Sequence, residues 1–404
     1  MKHLKLIASI SLLLFLGMTI TSCDSAKDDK AKYIFLFIGD GMGFSHVGVT
    51  ESYLSYKQGK LGGEQLTLTT FPVHGSAFSH SANYPVTDSS AGATAIATGT
   101  KTNNKMLCMD PDGNKLKSMS YYLQEDGYNV GVISSVPINH ATPASFYAKN
   151  ASRYIYYDIT AEIPDSGFDF FAGSGMMEFF GKEGDKRSSA ECLEEKGVNV
   201  CYSIKETEEA IEKGERILLC QPYNQDKNPS NYETTGVMPE GHIYLSEMLE
   251  LGLKRLGDKD PFFIMCEGGE IDWAGHRNKT MPLINAVLEF DKAIAIAYEF
   301  YKKHPEQTLI VITADHATGG IALNSQPDSE RMEETWIKDG YSNTLDKKAN
   351  QKLNDKCNIE WTTRGHTGEP VPVYAIGKGA EKFGGRMDNT GFISRILGED
   401  YKDE

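Results

Sequence analysis

Tyr33-Ile34-Phe35-Leu36-Phe37-Ile38 is an unbroken apolar run, closed by Gly39 and followed by Asp40-Gly41-Met42-Gly43. An apolar run of this length with no polar alternation suits a strand buried on both faces, the kind found in parallel sheets. The pattern recurs down the chain. Residues 128–134 (Tyr-Asn-Val-Gly-Val-Ile-Ser), 262–266 (Phe-Phe-Ile-Met-Cys), 308–312 (Thr-Leu-Ile-Val-Ile) and 371–377 (Val-Pro-Val-Tyr-Ala-Ile-Gly) read the same way, and Arg216-Ile217-Leu218-Leu219-Cys220 reads as a further strand. Helical spacing separates them, in residues 240–256 and in a long amphipathic stretch at 281–304. Strands alternating with helices define an α/β protein, in which ligands gather at the carboxyl ends of the strands. Asp40 stands at such an end, although Asp-Gly alone is an ordinary turn.

The other strand ends carry chemistry too. After residues 262–266 comes Glu267-Gly268-Gly269-Glu270-Ile271-Asp272-Trp273-Ala274-Gly275-His276, and after residues 308–312 comes Thr313-Ala314-Asp315-His316-Ala317-Thr318-Gly319-Gly320. Asp40, Glu267, Asp272 and Asp315 therefore all fall just past apolar runs, and one sheet edge would collect them. Each residue alone has an ordinary explanation as a cap, a turn or a satisfied buried histidine. All of them at equivalent strand ends do not. Carboxylates and imidazoles in this number supply the oxygen and nitrogen ligands that zinc takes. The cysteines do not cluster, which removes the commonest structural zinc arrangement.

Val86-Thr87-Asp88-Ser89-Ser90-Ala91-Gly92-Ala93-Thr94 is an acidic residue and two hydroxyls ahead of a run of small residues. Residues 91–98 read as a short helix stopped by Gly99, with Asp88 or Ser89 at its mouth. Free N–H groups and the helix dipole favour an anion there. A serine in that place can also act as a nucleophile, but only if a base or a metal activates it. No histidine is near in sequence, so metals are the expected activator. Farther on, Ile138-Asn139-His140-Ala141-Thr142-Pro143 follows the second strand, and Arg153 is expected at the end of a helix that starts from Pro143.

Composition narrows the function. The chain has 404 residues, 40% of them apolar, and a net charge of −15. That charge argues against a nucleic-acid partner, whose phosphates want a basic field. Residues 1–22 read as a signal peptide, with Lys2 and Lys5 ahead of an apolar run, and Ile20-Thr21-Ser22-Cys23 resembles a bacterial lipobox. Export to the periplasm or cell envelope, lipid-anchored through Cys23, is the expectation, with residues 23–32 as a tether. Among the six remaining cysteines, Cys192 and Cys201 are the pair proposed for a disulfide, and Cys266 is expected as a buried thiol. Residues 165–240 look irregular and residues 321–360 look like a polar insertion.

Taken together, these residues resemble the alkaline phosphatases, with the likeness running from about Tyr33 to Gly377. Residues 86–94 fit the family's nucleophile signature at each position. The order Asp40, Asp88-Ser89, His140-Ala141-Thr142-Pro143-Ala144, Arg153, Glu267, Asp272, His276, Asp315-His316 and His366 fits as well. The resemblance implies a three-layer α/β/α sandwich around a large, mostly parallel sheet. Residues 33–404 would form the catalytic domain, with insertions near 165–240 and 321–360. It implies a phosphomonoesterase with two Zn²⁺ and one Mg²⁺. Asp272, His276 and His366 would hold one zinc; Asp40, Asp315 and His316 would hold the second, completed by Ser89. Asp40 would bridge to a magnesium that also takes Thr142 and Glu267. Arg153 would bind phosphate, oriented by Asp88, and Ser89 would carry the phosphoryl group. The family is usually dimeric. His140 and Trp273 stand where the best-known bacterial pattern has Asp and Lys, which implies weaker magnesium binding and easier phosphate release. Related sulfatases use a modified cysteine in place of Ser89, diesterases often have threonine there and lack the arginine and magnesium set, and a mere binding lipoprotein would not need Ser89.

Overall fold

The computed structural model describes residues 30–222, 241–324 and 347–398. The leader, Cys23 and the tether lie outside them. Fourteen strands are described: β1 (Tyr33–Ile38), β2 (Val73–Phe78), β3 (Asn129–Ser134), β4 (Phe170–Gly173), β5 (Val198–Cys201), β6 (Arg216–Cys220), β7 (Phe262–Glu267), β8 (Thr308–Thr313), β9 (Ala317–Thr318), β10 (Ile321–Leu323), β11 (Ile359–Trp361), β12 (His366–Thr367), β13 (Val371–Gly377) and β14 (Gly385–Asp388). Ten of them make one sheet in the order β14-β2-β13-β8-β1-β7-β3-β4-β6-β5. Only β13 runs against the rest, pairing antiparallel with both β8 and β2.

The unbroken apolar runs are explained by what covers them. Every residue of β1, β7 and β8 is buried. Phe35 and Phe37 on β1 meet Phe300 and Phe290 of the long helix Thr280–Lys303 edge-on. That helix packs with Phe44–Lys57 and Leu245–Leu256 in one layer, while Ser89–Thr98, Met119–Glu125, Ala141–Ala144 and Gly391–Leu397 pack together in another. The result is an α/β/α sandwich.

Register then decides where the chemistry goes. Ile38 at the end of β1 lies level with Glu267 on β7 and Thr313 on β8, and Ser134 on β3 lies level with Glu267. The residues that follow, Asp40 and Asp315, therefore leave the sheet along one line.

Three expectations are corrected. Residues 165–222 are not irregular around the expected strand β6: they also supply β4 and β5, and the three extend the sheet at one edge, while residues 223–240 lie outside the described ones. Two of these strands are only four residues long, too short for an apolar run to announce them. No helix runs from Pro143 to Arg153; the helix is Ala141–Ala144. Beyond it the backbone pairs elsewhere, Asn150 with Leu107 and Arg153 N with Lys105 O, and those bonds replace helical ones. Cys192 and Cys201 are both free. Cys201 is sealed in β5, whereas Cys192 lies on the helix Ser189–Glu195 with its Sγ 3.5 Å from the Tyr157 hydroxyl. Cys266 is buried, as expected. Among the described residues no helix is long and apolar enough to cross a membrane.

Candidate active site

The helix Ser89–Thr98 starts two residues earlier than its sequence pattern indicates. Asp88 caps it in extended conformation, with Oδ1 accepting from Ala91 N at 3.0 Å, and Gly99 (φ 75°) ends it in the left-handed region. Every residue of this helix is buried. Gly92 allows the close approach: a Cβ there would lie 2.7 Å from the Asp315 carbonyl. The helix mouth is thereby pressed against the end of β8, and Ser89 Oγ comes 3.2 Å from His316 Nε2.

Asp88 does more than cap. Its carboxylate also accepts from Ser90 Oγ and Lys105 N, and its Oδ2 pairs with Arg153 Nη1 at 3.1 Å. Arg153 Nη2 donates to His140 Nε2 at 3.1 Å. The guanidinium is buried and braced from two sides, its Nε having no partner.

Beside this lie the carboxylates and imidazoles. Three sets have ligand atoms close enough to share an ion: Asp272, His316 and His366; Asp40, Asp315 and His316; and Asp40, His140 and Glu267. His276 lies beside the first, with Nε2 3.3 Å from Asp272 Oδ2 and 3.1 Å from His366 Nε2. Thr142 Oγ1 lies 3.5 Å from Asp315 Oδ2. Ser134 donates to Glu267 Oε2. Trp273 stands edge-on to His140, ring centres 5.9 Å apart. Every residue singled out from the sequence is thus brought to one place, and the third set differs from expectation by including His140.

The electrostatics say what the cluster is suited to hold. Burial, then the charges of Asp315, Asp272 and Glu267, push the Asp40 carboxyl well above its ordinary range. Burial pushes Glu267 up to about 8 and, with the Asp272 charge, Asp315 to about 7. Burial holds His316 well below its usual value, and burial with the Arg153 charge takes His140 down to about 3. Asp272 goes the other way: burial opposes its charge, but the His276 hydrogen bond and three neighbouring imidazoles outweigh it. Both Asp40 oxygens, Glu267 Oε1 and His140 Nδ1 are buried with no hydrogen-bond partner in the protein. Buried carboxylates crowded together without donors are costly. Divalent cations among them relieve both the desolvation and the repulsion, so the donor set fits metal ions.

Sequence reasoning passed over Thr318. Its hydroxyl reaches Asp272 Oδ1 at 2.5 Å and His316 Nδ1 at 3.2 Å. The available signal was its place two residues after His316 in an extended segment, which puts both side chains on one side.

A capped serine, a braced arginine and an acidic cluster that fits divalent cations, gathered at one sheet edge, suit metal-assisted phosphoryl transfer. The family comparison makes this specific. The alkaline phosphatase family model matches residues 31–177, 239–336 and 327–398, and the chain belongs to the alkaline phosphatase family. It is a phosphomonoesterase by that membership. It is 30% identical to alkaline phosphatase 4 of Bacillus subtilis over 95% of this chain and 94% of the relative. It is also similar to the solved alkaline phosphatase of the Antarctic bacterium TAB5, at 29% identity and TM-score 0.74, covering 91% of this chain and 97% of that one. A cold-active alkaline phosphatase from Shewanella sp., 24% identical with TM-score 0.77 over 91% and 100% of the two chains, shares the fold.

Proposed function

We propose that this phosphatase acts through a phosphoserine intermediate at a site for two zinc ions and one magnesium. The observation that carries this is Ser89 at a capped helix mouth, touching His316 inside the acidic cluster and beside the braced Arg153. Asp272, His276 and His366 would hold one zinc. Asp40, Asp315 and His316, beside Ser89, would hold the other. Asp40, Glu267 and Thr142 would hold magnesium. When bound, such ions draw charge from the oxygens they touch and offset that of the phosphate.

The chain's own residues do the positioning. The Arg153 fork, fixed by Asp88 and His140, presents N–H donors to phosphate oxygens. The N–H groups at the start of the helix Ser89–Thr98 and its dipole favour the same anion. Ser89 Oγ then bonds to phosphorus as the ester P–O bond breaks, and the leaving alcohol takes the proton. Water attacks phosphorus in turn as the bond to Ser89 Oγ breaks, a proton of that water returns to Ser89 Oγ, and inorganic phosphate departs. Phosphoryl transfer asks for little beyond this alignment and charge stabilisation.

Ser89→Ala should lower phosphate release from p-nitrophenyl phosphate by on the order of 10³-fold or more while zinc content stays that of the wild type. Acid quenching with labelled substrate should label Ser89, and label on another residue would overturn the assignment. Monoester turnover should exceed that of a diester and a sulfate ester, and should depend on zinc. We also infer from residues 1–23 that the mature chain is lipid-anchored in the cell envelope; mass analysis of its N-terminal peptide should find a diacylglyceryl group on Cys23.

A further inference from the structure

Three imidazoles belong to the proposed zinc ligand sets, and two of them are oriented in the same way. His276 Nδ1 faces the Arg364 carbonyl, and His366 Nδ1 faces the Thr87 carbonyl at 2.8 Å. A carbonyl only accepts, so each ring carries its proton on Nδ1 and turns the Nε2 lone pair inward. His316 has no carbonyl in that role. Its Nδ1 faces the Thr318 hydroxyl at 3.2 Å, while its Nε2 lies 3.3 Å from Asp315 Oδ2 and 3.4 Å from Asp40 Oδ1.

A hydroxyl can donate or accept, and its other neighbour settles which. Thr318 Oγ1 lies 2.5 Å from Asp272 Oδ1. A ligating carboxylate only accepts, so the threonine proton goes to Asp272. The oxygen lone pair is left for His316 Nδ1–H, and the Nε2 lone pair is directed at the second ligand set. We propose that Thr318 is a positioning residue joining the two zinc sites, donating to Asp272 of one and accepting from His316 of the other.

The backbone of Thr318 is held firmly enough for this. Its N donates to the Gly41 carbonyl at 3.0 Å, next to Asp40. Its carbonyl accepts from His46 Nε2 at 2.8 Å, and His46 Nδ1 accepts from Gly43 N at 3.0 Å, which sets the tautomer of that buried ring. Thr318 also pairs across β9 and β12 with His366. Space for the hydroxyl depends on Gly41, at φ 74°, where a Cβ would lie 2.8 Å from Thr318 Oγ1. One small side chain is thus tied to the segments of Asp40, Asp272, His316 and His366. Groups that orient metal ligands in this way typically matter 10- to 100-fold in affinity.

This inference rests on the zinc ligand sets proposed above, so its test uses zinc affinity, measured with a competing chelator and no substrate. Thr318→Val, which keeps the shape and removes the hydroxyl, should weaken zinc binding by about 10- to 100-fold. Thr318→Ser should restore it. In the zinc-loaded enzyme the slowly exchanging Nδ1–H resonance of His316 should persist in wild type and Thr318→Ser and be lost or exchange faster in Thr318→Val. kcat should fall in the valine variant with KM little changed. If Thr318→Val does not fold, Thr318→Ala makes the same comparison with serine. Unchanged zinc affinity with an intact His316 resonance in the variant lacking the hydroxyl would overturn the proposal. So would a serine variant as impaired as valine, which would assign the effect to methyl packing. Failure of Ser89 to become labelled would overturn the phosphoserine reading and leave this result untouched.

Discussion

Asp88 and Asp40 stand at the same rim of the sheet and are held in opposite ways. Asp88 is fully partnered, taking the Ala91 and Lys105 N–H groups, the Ser90 hydroxyl and the Arg153 guanidinium. Asp40 is more deeply buried, yet neither of its oxygens has a donor, and three neighbouring carboxylates repel it. A carboxylate that the protein satisfies is a fixture that orients something else. A carboxylate that the protein buries and leaves unsatisfied is suited to a cation. The two should therefore fail differently. Asp40→Asn should lower bound zinc and magnesium together and cost roughly 4 kcal/mol of charge stabilisation, on the order of 10³-fold in kcat/KM. Asp88→Asn should keep its metal and lose about 10- to 100-fold, the worth of a charge-assisted hydrogen bond to Arg153. Metal analysis of both variants decides it. Equal metal loss would erase the distinction.

Much of this contrast was legible in the sequence because it follows from register. Parallel strands that start level end level, so acidic residues just past the runs of β1, β7 and β8 had to share an edge. Asp40, Glu267 and Asp315 needed nothing more. The serine helix was legible from its small residues, although Gly92 acquires its meaning only from the Asp315 carbonyl packed on it. What escaped depends on partners distant in sequence. Arg153 is placed by backbone pairing to Lys105 rather than by a helix of its own. Thr318 and His46 look like unremarkable polar residues until they meet across some 270 positions. The short strands β4 and β5 carry too few residues for a periodicity to register.

Arg153 belongs to the satisfied side of the comparison, and the next largest effect tests that. Arg153→Ala should leave zinc and magnesium contents unchanged and raise the inhibition constant for phosphate by about 10- to 100-fold, since it removes charged donors to the anion. Loss of metal in this variant, with metal retained in Asp40→Asn, would reverse the two roles.

The unsatisfied side should also appear in stability once metals are stripped. Glu267 at about 8 and Asp315 at about 7 lie above their unfolded values, so between those values the folded chain holds protons that the unfolded chain has released. Stability then falls as pH rises and levels off above about 8. His276, raised chiefly by its hydrogen bond to Asp272, has the same sign above its unfolded value. The depressed His316 and His140 act oppositely, adding stability as pH rises toward about 6.5 and nothing beyond it. From pH 6.5 to 8.5 only the falling contributions remain. The melting temperature of the metal-free protein should drop by on the order of a few degrees across that window. Restoring the metals should remove the drop. A flat or rising profile in the stripped protein would mean that these carboxyls are not raised.

The smallest expected effect lies at His140, where the two sides of the site touch. Its Nε2 accepts from Arg153, and its unpartnered Nδ1 lies 4.0 Å from Asp40 Oδ2, so one ring links the Arg153 guanidinium to the third ligand set. Kept neutral by burial and by the Arg153 charge, it offers that set nitrogen where magnesium prefers oxygen. A carboxylate in its place would offer oxygen, so His140→Asp should tighten magnesium, and it should hold Arg153 more firmly by charge. Trp273, edge-on to the ring, carries no ammonium. Adding Trp273→Lys should then strengthen product binding further, with the two changes coupled because they share a contact. The double variant should show a phosphate inhibition constant lower by about 3- to 10-fold, roughly 1 kcal/mol, and slower turnover at alkaline pH if release limits the rate. Each single variant should do less. An unchanged inhibition constant in the double variant would mean that release is governed by Arg153 and the metal ligands alone.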